Sequence, residues 1–222
     1  MFPYFWALKL DESSKVVPIF QSIPVFGAIL GFIILGDTLT LIQIIAGGLI
    51  IFGSFGLSAS FGSKGISLKR RVVFYMLFAS LLIALSYVLL KLVAINTDFF
   101  TALFWEQIGF FLLGVILCLK KDYREQFVGV FKKNSGKILG LNIFNEIINI
   151  LASFVFSYAT LLAPIGIIWL FNGFQPFFIL GLGIIITMFF PWFGKENISK
   201  KALSQKALFI VVLVIGALLL RM

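Results

Sequence analysis

Residues 18–55 read PIFQSIPVFGAILGFIILGDTLTLIQIIAGGLIIFGSF, and Asp37 is the single charged residue among them. On either side of Asp37 lies an apolar run long enough to cross a bilayer, which takes about 20 helical residues. A surface helix of a soluble protein would show a polar face every turn or so, and neither run does. The Gly36-Asp37 pair between them reads as a tight turn at the membrane surface. Two consecutive membrane-spanning helices are therefore expected, over 16–36 and 38–58.

Five further stretches outward from these carry the same signature: 72–95, 99–119, 138–160, 163–190 and 206–222. The expected fold is an all-α membrane protein, a polytopic helical bundle with about seven transmembrane helices. The longest stretch, 163–190, holds Pro164 and Pro176 and should tilt or kink. The head Met1–Leu10 (MFPYFWALKL) is apolar but too short to span. It has neither the basic start nor the small-residue cleavage site of a signal peptide.

Composition agrees with a membrane protein. The 222 residues are 61% hydrophobic and 12% charged, against about 45–50% and about 25% in soluble domains. Composition argues against a soluble enzyme or nucleic-acid-binding domain, because a globule this apolar would lack the polar skin it needs. The absence of histidine removes imidazole acid–base chemistry and imidazole metal ligation. The one cysteine, Cys118, cannot form an internal disulfide or a thiolate cluster. No metal, cofactor or nucleic-acid partner is expected, and no GxxxxGK[ST] motif is present to bind ATP.

The net charge of +9 has a topological meaning. Alternating the seven spans puts all but two of the 18 basic residues on one side. That side holds Lys9, Lys15, Lys64, Lys69, Arg70, Arg71, Lys120, Lys121, Arg124, Lys132, Lys133, Lys137, Lys195, Lys200, Lys201 and Lys206. Only Lys91 and Arg221 fall on the other. The positive-inside rule makes the basic side cytoplasmic and puts the C-terminus outside, in a multi-pass protein of the cell (plasma or inner) membrane. The segment 120–137, KKDYREQFVGVFKKNSGK, reads as a solvated cytoplasmic loop that could also touch anionic lipid.

The chain resembles itself at an offset of 152 residues. Ala7 meets Ala159, Pro24 meets Pro176, Phe26 meets Phe178, and Leu30-Gly31 meet Leu182-Gly183. Matched Pro and Gly count for most, because each answers a backbone requirement. Span 16–36 and its partner 163–190 cross in opposite directions, so the copies are inverted, as in many secondary transporters. Five spans per copy produce that inversion. Shifted back by 152, the counterpart of residues 72–152 would precede Met1. The chain then reads as an N-terminally incomplete part of a ten-span protein. Residues 1–58 form the C-terminal part of the first repeat, 59–71 a cytoplasmic linker, and 72–222 the second repeat.

These residues resemble the EamA-type domain of the drug/metabolite transporter superfamily. The resemblance rests on Pro24, the Gly36-Asp37 turn followed by Leu39-Thr40, Gln43 opening the next span, and Gly47, Gly48 and Gly53 within it. The segment SYVLLKLVAI resembles the first span of such a unit, whose lysine near the outer end would be Lys91. The comparable stretch of the next span is TALFWEQIG, with Glu106 where the family often carries arginine. The second Gly-acidic turn is blurred into GKENIS. The resemblance implies ten helices in two inverted units, a central cavity and alternating access, carrying a small organic metabolite, often outward.

The residues give their own candidates for a site. In 138–160, the polar residues Asn142, Asn145, Glu146, Asn149, Ser153, Ser157 and Thr160 are spaced by 3, 1, 3, 4, 4 and 3. At about 100° per residue they share roughly a third of the helix circumference. Such a stripe must face protein or water. It is read as the lining of a substrate cavity, the other reading being polar glue between helices. A charge at mid-bilayer costs about 2.5–3.5 kcal/mol on insertion scales, so Glu146 needs a proton, a cation or a wet cavity. It is the first candidate coupling group. Glu106 is the second, with Lys91 as a potential partner. Trp169, Asn172 and Gln175 precede Pro176 at steps of three and would form another wall, with Gln21 opposite. Ser80, Tyr87 and Lys91, at spacings of 7 and 4, share a face that is a further candidate wall. The glycine pairs Gly27/Gly31 and Gly136/Gly140 would allow close helix approach.

The expected function is secondary-active transport, in the exporter direction, of a small-molecule metabolite, coupled to protons or another ion. The protein would act within the lipid bilayer, with a homodimer as a candidate assembly and no enzymatic activity. Two rivals stand beside it. One is a non-transporting membrane subunit that requires a partner. The other is a membrane-embedded transferase acting on lipid-linked substrates, which would need an acidic metal-binding pair that the scattered cytoplasmic acids do not offer.

Overall fold

The computed structural model of the chain describes residues 2–11, 16–58, 69–133, 135–189 and 200–220. Among these residues the structure is helical, with short connections and no strand. The α-helices are α1 (Phe2–Leu10), α2 (Ile23–Leu30), α3 (Leu41–Ser58), α4 (Arg70–Asn96), α5 (Phe99–Cys118), α6 (Lys121–Lys133), α7 (Ser135–Leu162), α8 (Ile165–Leu170), α9 (Gln175–Phe189) and α10 (Lys200–Leu220). A 3-10 turn, Val17–Ser22, leads into α2, a π-turn, Gly31–Leu35, follows it, and a second 3-10 turn, Phe171–Phe174, joins α8 to α9.

Five described segments are long and apolar enough to cross a membrane: Pro18–Leu35, Arg70–Asn96, Phe99–Cys118, Leu139–Leu162 and Ile165–Phe189. Two shorter apolar helices, Leu41–Leu57 and Ser204–Leu220, sit where the other two spans are expected. The protein is an all-α membrane bundle. The linker 59–71 and the GKENIS turn lie mostly outside the described residues, the former resuming at Lys69.

Pro24 and Pro176 each stand at a change of helix type within their span. Pro24 is the second residue of α2, directly after the 3-10 turn ending at Ser22. Pro176 is the second residue of α9, directly after the 3-10 turn ending at Phe174. Proline is tolerated in a first turn, where its missing N–H would have no intrahelical partner. Each span thus changes from 3-10 to α geometry just before its proline, the turns ending at Ser22 and Phe174, 152 residues apart.

One expectation fails. Residues 120–137 are not a loop, because α6 occupies Lys121–Lys133 and α7 begins at Ser135. The reason is local. Tyr123, Phe127, Val130 and Phe131 recur at i, i+4, i+7 and i+8, the spacing of one helical face. The high charge content masked that period.

The chain forms two compact units, Met1–Val88 with Ala163–Met222, and Leu89–Leu162. In the first, buried Ala7, Val16, Val72 and Met76 make one apolar cluster, with Tyr4, Phe20 and Tyr75 around it. Leu57, Leu180 and Leu213 make another with Phe174 and Phe209. There α3 and α10 approach closely through glycine. A methyl group on Gly53 would lie 2.9 Å from the Phe209 carbonyl oxygen, and one on Gly216 2.9 Å from that of Ala46. In the second unit, Leu90, Ala94 and Ala102 pack with Leu103 and Leu161. The Phe99 ring meets Phe154 and Tyr158, each at 5.3 Å. The remaining faces of α5 and α7 present exposed Phe, Leu and Ile side chains, a surface suited to lipid rather than water.

Candidate functional site

The first unit brings together the two proline-containing spans. Gly36, at φ 72°, ends the π-turn in the left-handed conformation that glycine adopts without strain. The chain then reverses at Asp37, whose Oδ2 accepts a hydrogen bond from the Ile165 N–H at 3.2 Å. Pro164 precedes α8 and supplies no side-chain cap. The Asp37 carboxylate takes that role from 128 residues away, at the positive end of the helix. Two glycines permit this contact. A methyl on Gly27 would lie 3.2 Å from Ile165 Cγ2, and one on Gly166 2.8 Å from Ala28 Cβ. In the other glycine pair, neither Gly136 nor Gly140 would meet a described atom within 4 Å.

Beside this contact, the Tyr87 and Trp169 rings meet edge to face, with centroids 5.1 Å apart. Trp169 is buried, so it does not present its ring at a membrane surface. Gln21 is half-buried in the first 3-10 turn. Its Oε1 lies 3.8 Å from where a Gly173 methyl would stand, with Ser54 Cβ at 3.6 Å from the same point. Gln21, Ser54 and the backbone beside Asn172 therefore converge. Ser54 is fully buried, and its Oγ has no hydrogen-bond partner among the described residues. Asn172 is half-buried, and Gln175 is exposed.

The second unit holds the other candidates. Lys91 is buried on α4. Glu106 is half-buried on α5, and its Oε2 has no hydrogen-bond partner among the described residues. Along α7, Asn142, Asn145, Glu146 and Asn149 are all exposed, Ser153 is half-buried, and Ser157 and Thr160 are buried. The Thr160 hydroxyl donates to the Ser157 carbonyl at 2.6 Å, within the helix. The stripe is thus closed toward the C-terminal end of α7 and open along its first half.

Sequence reasoning did not identify Asp37 or Ser54 as site residues. Ser54 sits in a glycine-rich apolar run and carries no distinguishing spacing. Thr40 and Gln43 did carry one. The Thr40 N–H donates to Gln43 Oε1 at 3.0 Å, and the Gln43 N–H donates to Thr40 Oγ1 at 3.2 Å. This reciprocal pair is a capping box, written in sequence as Thr-x-x-Gln before an apolar run.

The fold and these polar positions define a multi-pass helical membrane protein. Residues 1–59 match the EamA-like transporter family, as the resemblance implied for the first repeat. That family is of transporter type, and the match covers the first 59 of the 222 residues. Comparison with curated proteins and with solved structures finds no match.

Proposed function

We propose that this protein works as a secondary-active transporter of a small organic metabolite, in the exporter direction. The carrying observation is the polar half-stripe of α7, where Asn142, Asn145, Glu146 and Asn149 are exposed along a span whose opposite face is Ile, Leu, Phe and Val. Amides and a carboxylate at that depth favour a water-filled cavity. Trp169, Asn172, Gln175, Gln21 and Tyr87 serve as further substrate-contacting residues. The matched placement of Pro24 and Pro176 after 3-10 turns supports inverted repeats, with boundaries at 1–58 and 72–222. The two repeats rock in alternating access, with the basic loops cytoplasmic and the C-terminus outside. Glu146 carries the coupling proton or ion, and Glu106 and Lys91 are the secondary coupling groups. In proteoliposomes under an imposed pH gradient, a panel of radiolabelled amino acids and organic cations should reveal a transported solute. Glu146→Gln should then abolish the pH dependence of its flux. Unchanged pH-dependent flux removes Glu146 from coupling.

The exposure of the same stripe also favours a second reading, in which α7 docks against a partner helix, a second copy of the chain being one such partner. Cysteine crosslinking through Asn145→Cys separates the two readings. Efficient crosslinking with no solute flux supports the subunit, and flux without crosslinking supports the transporter.

A further inference from the structure

We infer that α6 is a membrane-surface helix that binds the headgroups of anionic lipids. Its position follows from connectivity: α6 joins the spanning helices α5 and α7. Six of its 13 residues are charged (Lys121, Asp122, Arg124, Glu125, Lys132 and Lys133), which bars it from the hydrocarbon. A helix confined to the surface must still place its apolar residues. Tyr123 and Phe127, one turn apart on one face, are 43% and 58% exposed, and this aromatic surface fits the boundary between headgroups and acyl chains.

Charge selects the lipid. Residues 120–137 hold six basic residues and two acids. Both acids lie in the first two turns of α6. The Lys121–Glu125 ion pair is 3.8 Å long, with both side chains mostly exposed. A pair of that kind is weak and does not hold Lys121 back from a lipid phosphate. Basic residues on an amphipathic helix beside a spanning segment match a surface rich in anionic headgroups. The occupant is therefore the anionic lipid surface itself, in whichever leaflet this end of the bundle lies.

The test uses the full chain in nanodiscs. Cys118→Ser with Tyr123→Cys provides one labelling site for a polarity-sensitive fluorophore, on the apolar face beside Phe127. In discs of phosphatidylcholine the label should report a wetter environment, and its emission should shift to the blue as phosphatidylglycerol is added. Raising the salt to about 0.5 M should reverse the shift, because screening then acts within a few ångströms. Lys120→Gln with Lys121→Gln should weaken the anionic-lipid preference by about fivefold per residue. Emission that is the same in both lipids overturns the proposal. So does a shift that survives both high salt and the double substitution, which would mark apolar insertion without headgroup recognition. The lipid comparison on the unaltered charges needs no folding control. For the double variant, unchanged far-UV helicity provides one.

Discussion

The Asp37 carboxylate accepts a hydrogen bond from the Ile165 N–H across 128 residues of chain, and it caps a helix whose preceding residue is a proline. Removing the acceptor leaves the α8 N-terminus without a side-chain partner. Asp37→Ala should therefore destabilise the first unit by about 1 kcal/mol, within the range for lost helix caps. Asp37→Asn keeps an acceptor oxygen and loses only the charge at the helix end, so the loss should be about 0.3–1 kcal/mol. Thermal unfolding in detergent should rank wild type above Asn and Asn above Ala. Equal midpoints for all three would mean that the contact contributes nothing.

A second carboxylate gives a pH dependence. Asp98 caps α5, its side chain accepting from the Thr101 N–H at 2.9 Å and from the Thr101 hydroxyl at 2.5 Å. The Thr101 hydroxyl and then its N–H hold the Asp98 carboxyl below its ordinary value. In the window between the lowered and the ordinary value, the unfolded state binds more protons, so stability rises with pH there. The cap is at full strength above about pH 4, the ordinary aspartate value. It weakens as pH falls from there through the lowered value. Protection of the Thr101 amide, its exchange rate relative to that of an unstructured chain at the same pH, should fall over that range in wild type. In Asp98→Asn it should show no corresponding step.

The α3–α10 packing offers a contrast between two glycines on one helix. A methyl on Gly53 would meet the Phe209 carbonyl oxygen at 2.9 Å and the Leu213 nitrogen at 3.0 Å, both backbone atoms that cannot rotate away. Gly53→Ala should cost about 1–3 kcal/mol through overpacking. On the same helix, a methyl on Gly48 meets nothing within 4 Å. Gly48→Ala should be neutral or stabilising by up to about 1 kcal/mol. Denaturation of the two variants side by side checks the pair, and a similar loss at both sites would contradict the close approach.

The spans were legible because an apolar run of 20 residues does not depend on its neighbours. Pro24 and Pro176 were legible as interruptions, but not as first-turn residues, since the 3-10 turns before them have no sequence signature. Two features stayed hidden for different reasons. The period of α6 lies under its charges, so a count of charged residues pointed to a loop while the spacing of Tyr123 and Phe127 pointed to a helix. The Asp37–Ile165 contact joins residues too far apart for any local pattern to link them. Thr40 and Gln43 fall between these cases, because Thr-x-x-Gln is a readable cap but first registered only as part of a family pattern. In the candidate site, spacing placed seven polar residues on one face of α7. It could not show that Ser157 and Thr160 are buried while Asn142 to Asn149 are exposed, because burial depends on what packs against each turn.

That gradient along α7 allows water to be distinguished from lipid. Single cysteines at Asn142, Asn145, Asn149, Ile143 and Ile147, in a Cys118→Ser background, sample both faces of one helix. All five positions are exposed in the structure, so packing alone would let each react. Thiolates form only where water reaches them. A charged thiosulfonate reagent should therefore label the asparagine positions much faster than the isoleucine positions, with a period between three and four residues. Ser157→Cys, which is buried, should resist the reagent. Uniformly slow labelling would place the whole stripe in lipid or against another helix and remove the water-filled cavity. Uniformly fast labelling would show that α7 does not lie within a bilayer.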